Sequence, residues 1–292
     1  MPAPATFSPR STPMIRTILL PAILVLSTIL PLAGCKTNPA TGRSQFQAMS
    51  RDQEIEIGES VKDELTDEYG GAFPDQSVQN YVREVGLRLV EHVEPQYKDL
   101  PWEFTLLDSE VINAFALPGG KVFLSRGLVV MMRDEAQMAG VIGHEIGHVT
   151  ARHINDRIAR QTGFAVGATV LGAVSRSDAA RIGASVIVGA GGVYMLSYGR
   201  DEEIEADTLG MRYMARAGYD PRAQLEVMEI LRDASGGSHP PEFLSTHPLP
   251  QTRIQRIERE LRRDYAHTQD NPDYQRYPDR FRTRMLDRLP GN

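Results

Sequence analysis

The sequence is short of cysteine, of clustered basic charge and of long apolar runs, and each shortage excludes a class of protein. Cys35 is the single cysteine among 292 residues, which excludes a disulfide framework within the chain. The formal net charge is −6 and basic residues are spread along the chain, whereas nucleic-acid binding needs a clustered basic face. We therefore expect no nucleic-acid partner. The remaining composition, 41% hydrophobic and 24% charged, is typical of one large globular domain or two small ones.

The single cysteine closes a segment that has the pattern of an export signal. Arg10 and Arg16 precede an apolar stretch at 18–32, and the letters Leu-Ala-Gly-Cys end the segment at Cys35. A basic flank, a short apolar core and small residues at the end are typical of a signal peptide. The ending resembles a bacterial lipobox, in which the cysteine is lipidated, so we favour a lipoprotein over a plain secretory signal or an uncleaved anchor. Lysine at position 36, in place of aspartate, favours the outer membrane and a catalytic part that faces the periplasm.

Changes in composition divide the chain beyond this signal peptide of residues 1–35 into three parts. Residues 36–50 are polar and rich in turn formers, which predicts a tether. Residues 51–263 carry regular apolar periodicity and form the predicted domain. Residues 264–292 turn to Asp, Arg, Tyr, Pro and Asn with little periodicity, which predicts a poorly ordered polar tail with at most a short helix near its end.

The periodicity within the domain predicts an α+β fold, mostly helical with a small sheet. Helical spacing starts at Arg51, and strand-like alternation over 102–125 surrounds the turn Pro118-Gly119-Gly120. Asp134 can cap a helix that runs to about Ile154. Further helices are expected at about 201–217, 221–233 and 250–263.

A stretch rich in Gly, Ala and Val at 163–196 permits two interpretations. Its two apolar arms hold roughly 12 and 15 residues, fewer than the roughly 20 that span a bilayer. Charged residues at 176–181 separate the arms. We favour two closely packed helices beside the active site over a surface that dips into the membrane or moves as a gate.

The strongest chemical signal is His144-Glu145-Ile146-Gly147-His148. On a helix, residues four apart share a face, so both imidazoles can reach one ion. Zinc suits neutral histidine nitrogens in tetrahedral geometry and activates a water molecule near neutral pH. Glu145 stands where it can accept a proton from that water. The alternative is a helix with fortuitous histidines, which the helical context and the preceding β-hairpin disfavour.

Such a site needs a third protein ligand. The extended metzincin pattern would require glycine at 151 and histidine at 154, but the sequence has Ala151 and Ile154, and His153 would point elsewhere on the helix. A later acidic run offers the carboxylates of residues 202, 203 and 205 instead. Glu203 and Asp207 share a helix face, so Glu203 could bind the metal while Asp207 orients a ligand histidine. The plainer alternative is the charged start of a helix.

Together these segments resemble the gluzincin family of CAAX prenyl endopeptidases and heat-shock membrane proteases, which also has mitochondrial and bacterial periplasmic members. The resemblance covers about residues 38–260 and rests on HEIGHVTARH, EIEADTLG, STHPLPQTRI, NAFALPGGKVFLSRGL and NPATGR. It implies a zincin fold, one Zn²⁺ per chain, Glu203 as third ligand and Asp207 beside it. The sequence shows neither the long transmembrane helices of the prenyl and heat-shock branches nor a helical-repeat extension. It is therefore most similar to the compact lipoprotein branch.

The resemblance also implies roles for an edge strand and a further histidine. Asn113, Ala114, Phe115 and Ala116 would pair with an extended substrate backbone. His247 would lie near the metal, as a reversible extra ligand that keeps the enzyme latent or as a group that stabilises the oxyanion. The alternative is a structural histidine before Pro248. The remaining histidines, at 92, 239 and 267, have no motif around them and are expected at the surface.

The sequence therefore predicts a zinc-dependent endopeptidase with Glu145 as general base. The implied substrates are unfolded or misassembled proteins of the cell envelope, and a lipid on Cys35 would hold the enzyme at the membrane. Two alternatives remain: a latent or non-catalytic zinc-binding chaperone, which would have no need of Glu145, and a membrane-embedded protease, which rests on residues 163–196.

Overall fold

Helices form most of the described part of the chain because its apolar residues recur three and four apart. The computed structural model describes residues 35–47, 49–158, 188–189, 192–193, 197–237 and 240–290. The described residues from 35 onward form one compact unit. The longer helices are α1 (Arg51–Glu68), α2 (Gln76–Val90), α5 (Glu135–Thr150), α6 (Arg200–Arg216), α7 (Arg222–Ala234) and α9 (Gln251–Arg263). Short ones are α3 (Pro95–Lys98), α4 (Arg126–Val129), α8 (Phe243–Thr246) and α10 (Pro278–Arg284), with 3₁₀ turns at Ala266–Thr268 and Leu286–Arg288.

Side-chain caps fix where the main helices begin. Ser50 accepts a hydrogen bond from the backbone N–H of Gln53, and the Gln53 side chain accepts one from the backbone N–H of Ser50, which forms a capping box at the start of α1. Asp134 accepts from the backbone N–H of Gln137 at the start of α5, as its position in the sequence predicts. These local signals explain why the predicted starts of the helices agree with the structure.

A three-stranded sheet precedes the central helix α5. Its strands are β3 (Glu103–Leu107), β4 (Ala114–Leu117) and β5 (Lys121–Ser125), in the order β3-β5-β4. β3 pairs with β5 in parallel, whereas β4 pairs with β5 in antiparallel register across the tight turn at Gly119 and Gly120, both with positive φ. β4 is consequently an edge strand: β5 lies on one side, and no described strand pairs with the other.

The segment predicted as a tether is an ordered β-hairpin instead. Strands β1 (Cys35–Thr37) and β2 (Ser44–Phe46) pair in antiparallel register. The Asn38 side chain donates to the Thr150 carbonyl at 2.9 Å, and the Gln45 side chain donates to the Ala151 carbonyl at 2.7 Å. The polar side chains that make this segment resemble a linker thus donate hydrogen bonds to carbonyls at the end of α5, which would otherwise lack partners.

The central helix ends earlier than its apolar pattern predicts. α5 stops at Thr150, and Arg152 adopts a positive φ of 58° before a new helical turn starts at residue 153. The side chains of Asn38 and Gln45 satisfy the terminal carbonyls in place of the next turn. The break redirects the side chains that follow, including His153.

The predicted disorder of the C-terminal tail is also wrong for the residues that the structure describes. Within 264–290, α10 places Phe281 in the core, fully buried, and Met285 is buried beside it. Arg280 forms an ion pair with the buried Glu135 at the start of α5. A few apolar contacts and this ion pair order a segment whose composition resembles that of a flexible tail. Its short helix α10 lies near the end of the chain, where the sequence allowed for one.

Two predicted segments lie largely outside the described residues. The signal peptide falls among residues 1–34, and of 163–196 the structure describes only the two-residue strands β6 (Val188–Gly189) and β7 (Gly192–Val193), which pair in antiparallel register. Among the described helices, none combines the length and apolarity needed to cross a bilayer.

Burial of Glu54 on α1 should make the stability of the fold depend on pH. Desolvation raises the pKa of Glu54 from 4.5 to about 7, against the opposing charge of Arg152. The folded state therefore holds this proton more tightly than the unfolded state. The resulting stabilisation is complete below the unfolded pKa and is lost as the pH rises through the folded pKa, by a total of about 3 kcal/mol.

Glu54→Gln should remove that dependence, because the amide does not ionise. Denaturant unfolding between about pH 4 and pH 8 should show the wild type losing about 3 kcal/mol relative to the variant. The exposed Glu56 on the same helix supplies the control, since Glu56→Gln should follow the wild-type curve. Parallel curves for wild type and Glu54→Gln would contradict the prediction.

Candidate metal centre

Helix α5 brings two histidines together at the centre of the fold. His144 and His148 are one turn apart, and both side chains are buried. Their Nε2 atoms lie 3.0 Å from each other, so both rings direct the same nitrogen to one point. Burial and the neighbouring histidines hold the pKa of His148 well below its usual value, which favours the neutral ring that binds a metal.

Two glycines let helix α6 approach α5 closely enough to complete this group. A Cβ at Gly147 would lie 2.9 Å from the Ala206 carbonyl oxygen, and one at Gly210 would lie 2.9 Å from the backbone nitrogen of His144. A methyl group at either position would therefore push the helices apart. This close crossing places the acidic start of α6 beside the histidines.

Of the three glutamates in the acidic run, the structure brings Glu203 to the histidines. Its carboxylate oxygens lie 3.5 Å from Nε2 of His148 and 3.6 Å from Nε2 of His144. Glu202 instead accepts a hydrogen bond from the backbone N–H of Gly199, and Glu205 faces His153. Sequence periodicity alone did not decide which of these three carboxylates approaches the histidines. The crossing of α5 and α6 brings Glu203 to them.

Asp207 lies one turn after Glu203 and contacts the far side of the first histidine. Its Oδ1 is 3.0 Å from Nδ1 of His144. Burial opposes a charge on His144, but the hydrogen bond and charge of Asp207 outweigh it and raise the pKa of His144. This contact leaves Nε2 of His144 directed to the centre.

His247, from the segment after α8, completes a group of four potential ligands. Its Nδ1 lies 3.0 Å from Oε1 of Glu203 and 3.3 Å from Nε2 of His144. Phe243 stacks on its ring at a centroid distance of 4.2 Å. One ligand atom from each of His144, His148, Glu203 and His247 falls within 4.8 Å of the other three, a spacing that can hold a metal ion.

Buried atoms without partners support a bound group at this point. Both carboxylate oxygens of Glu145 and Nε2 of His247 are buried, and none has a hydrogen-bond partner among the described residues. Nε2 of His247 is 3.6 Å from Oε1 of Glu145. Burial raises the pKa of Glu145. Because unpartnered buried polar atoms are costly, the donor set and these atoms fit a metal ion accompanied by a water molecule.

Arg253 is a buried part of the centre that the sequence analysis missed. It forms an ion pair with Oε2 of Glu203 and donates two hydrogen bonds of 2.8 Å to Asp207. Burial raises the pKa of Asp207, but the charge of Arg253 outweighs it and holds this pKa well below its usual value. The available signal was a cation on the apolar face of α9, beside Ile254 and Ile257.

His153 does not point away from the centre, contrary to the prediction from a continuous helix. The break at Arg152 turns its fully buried side chain back, so that its Nδ1 lies 2.9 Å from Nδ1 of His148. His92 is half-buried and His267 is exposed, and neither joins the group of four. His239 lies outside the described residues.

The predicted substrate strand lies beside the metal centre. Asn113 immediately precedes β4, and Ala114, Phe115 and Ala116 belong to it. A cavity of about 460 Å³ extends from the end of β4 to α5 and is lined by Ala116, Leu117, His148 and Arg152 among other residues. The end of strand β4 and His148 thus border one space.

These features can be compared with known proteins. A model of peptidase family M48 matches residues 76–261, from the first residue of α2 into α9, and so includes the whole group of four. The chain belongs to peptidase family M48. The α+β zincin fold and the gluzincin family predicted from the sequence are thereby confirmed.

Curated relatives of this M48 peptidase include bacterial and mitochondrial proteins. The "Beta-barrel assembly-enhancing protease" of Escherichia coli is 33% identical over 228 residues, which cover 75% of this chain and 46% of the relative. The "Mitochondrial metalloendopeptidase OMA1" of Schizosaccharomyces pombe is 32% identical, covering 75% and 64%. The human "Metalloendopeptidase OMA1, mitochondrial" is 28% identical, covering 77% and 45%. The chain thus spans about half the length of the bacterial relative, and none of these three is named as a prenyl endopeptidase or a heat-shock protease.

Proposed function

We propose that this M48 chain is a zinc-dependent endopeptidase. His144, His148 and Glu203 hold one zinc ion per chain, and Glu145 is the general base. The observation that carries the proposal is the convergence of four buried ligand atoms within 4.8 Å beside a carboxylate that has no hydrogen-bond partner among the described residues. A non-catalytic chaperone would not need that carboxylate.

The residues around the centre divide the chemistry among them. When bound, zinc supplies a Lewis acid that polarises the scissile carbonyl and acidifies a water molecule. Glu145 accepts the proton of that water and delivers it to the leaving amine. Its raised pKa brings the carboxyl closer to neutral pH, where accepting and returning a proton are both feasible. Asp207 holds His144 in the orientation that keeps Nε2 free.

The edge strand and the adjoining cavity support a substrate in extended conformation. A substrate backbone adds to the free edge of β4 over residues 113–116 by main-chain hydrogen bonds, which tolerate many side chains. Extended segments are exposed mainly by unfolded proteins. We therefore propose unfolded or misassembled envelope proteins as substrates, which accords with the name of the Escherichia coli relative, "Beta-barrel assembly-enhancing protease".

The proposed location rests on Cys35 and the residue that follows it. We propose that lipid on Cys35 anchors the enzyme to the membrane, facing the periplasm and at the outer membrane, as in a compact lipoprotein branch of the family. Lys36 supports the outer membrane, and the bacterial relatives named for β-barrel assembly accord with this proposal. Radiolabelled palmitate incorporated into wild type and absent from Cys35→Ala is the expected result.

His247 is proposed to hold the resting enzyme latent. Its Nδ1 lies 3.0 Å from Oε1 of Glu203 and 3.3 Å from Nε2 of His144, so His247 could serve as a further ligand in place of the water molecule that the reaction needs. His247→Ala should therefore raise the initial rate of casein cleavage by about tenfold, which corresponds to about 1.4 kcal/mol. His267→Ala, at an exposed histidine, should leave the rate unchanged. A fall in rate for His247→Ala would instead assign this histidine to stabilisation of the oxyanion.

The direct test of the proposed function is zinc content together with cleavage of an unfolded protein such as casein. One equivalent of zinc and cleavage that a chelator abolishes are expected. Protein that binds no zinc would refute the ligand assignment, and with it the function.

A further inference from the structure

His148 differs from His144 in the group that contacts the side of its ring opposite the metal centre. His144 has the carboxylate of Asp207 at its Nδ1, whereas His148 has the ring of His153, with 2.9 Å between the two Nδ1 atoms. On the other side of the His153 ring, Nε2 of His153 lies 3.1 Å from Oε2 of Glu205. The two ligand histidines are therefore supported by different chemistry.

The protons of this chain of groups can be assigned from the role of His148. Its Nε2 faces His144 and Glu203 and must keep a lone pair to bind a metal, so the proton of the neutral ring resides on Nδ1. Nδ1–H of His148 then donates to Nδ1 of His153. A neutral His153 that accepts there carries its own proton on Nε2, which donates to Glu205. The donor and the acceptor of each hydrogen bond in this series are therefore fixed.

Glu205 is itself held in place from the N-terminal hairpin. Its other carboxylate oxygen, Oε1, lies 2.6 Å from Nε of Arg43, which is in the turn between β1 and β2. Arg43 also contacts Asp156 at 3.3 Å. The charge that fixes the proton of His153 is thus anchored by a residue far away in the sequence.

A separate contact fixes the plane of the His148 ring. Tyr198 stacks on it with a centroid distance of 3.7 Å and an interplanar angle of 27°. Stacking restrains the plane but does not choose which nitrogen carries the proton. His153 is the contact that makes this choice.

We propose that His153 and Glu205 are positioning residues that fix the tautomer of His148 for metal binding. This inference rests on the proposed zinc site. Partners of this kind contribute about 10- to 100-fold to metal affinity. His153 acts through His148 and does not touch the metal or the substrate.

The test is the zinc dissociation constant of the full chain, measured by competition with a chelator, and the absorption spectrum of the cobalt-substituted protein. His153→Ala should weaken zinc binding by about 10- to 100-fold and shift the cobalt spectrum. His153→Asn should recover part of the affinity, because its Oδ1 takes the place of Nδ1 and accepts from His148. His267→Ala should bind zinc as the wild type does.

The same measurements contain the results that would overturn the inference. Unchanged affinity for His153→Ala would do so, and so would equal losses for His153→Ala and His153→Asn, which would indicate a packing role. If His153→Ala does not fold, Glu205→Ala at a partly exposed site carries the test: weaker zinc binding supports the proposal and unchanged binding refutes it. Absence of zinc from the wild type would refute the proposed function itself, whereas equal binding by wild type and variants overturns this inference alone.

Discussion

Glu145→Gln should retain zinc but cleave an unfolded protein about 100- to 10,000-fold more slowly than the wild type. Glutamine keeps the size of the side chain and cannot accept the proton of the attacking water. Glu145 does not contribute a ligand atom to the group of four, so the metal affinity should change little. Zinc content and initial rates of casein cleavage, measured on the same samples, provide the comparison.

Other outcomes of this experiment are equally informative. Glu64→Gln, at an exposed glutamate of α1, is the matched control and should cleave at the wild-type rate. Wild-type rates for Glu145→Gln would remove Glu145 from the reaction. Zinc in both proteins with cleavage by neither would favour latency or the chaperone alternative, and His247→Ala would separate the two.

Arg253→Met should lower the free energy of unfolding of the zinc-free protein by about 3 to 5 kcal/mol, the usual loss when one partner of a buried charge network is removed. Arg253 is fully buried, and Glu203 and Asp207 would both lose their cation. Methionine fills much of the same volume, so the loss would report charge more than a cavity. Denaturant unfolding in the presence of a chelator measures the change.

A control is available on the same helix. Arg262 lies near Glu258 one turn away, and their side chains are 66% and 39% exposed. Arg262→Met should therefore cost less than about 1 kcal/mol. Equal losses for the two variants would mean that the buried charge of Arg253 contributes no more to the free energy of unfolding than an exposed one. Added zinc should recover part of the loss in Arg253→Met, because the ion neutralises Glu203.

The sequence could predict the features that depend on local spacing. One helical turn separates His144 from His148, and Asp134 caps the helix that carries them, so both follow from periods of three and four residues. The turn at Gly119 and Gly120 predicts the strands on either side. The resemblance to a known family then separated Glu203 from its acidic neighbours, which spacing alone did not.

The features that escaped prediction are those that depend on contacts between distant segments. His153 turns back because Asn38 and Gln45, more than 100 positions earlier, take over the carbonyls at the end of α5. Arg253 becomes part of the centre only where α9 meets α6. The last 29 residues differ in composition from a core segment, yet Phe281 is buried because α2 and α5 present a surface to it. No local pattern contains this information.

If the proposed lipid on Cys35 anchors the protein, the hairpin at 35–46 also sets how far from the membrane it can act. A flexible segment over 36–50 would let the cavity beside β4 lie up to about 50 Å from the membrane when extended. The folded strands remove this distance, since β1 begins at Cys35 itself and Lys36 and Thr37 already line the cavity. If Cys35 carries the lipid, the cavity opens next to the bilayer surface. The enzyme would then process chains that are at the membrane and leave those free in the surrounding fluid untouched.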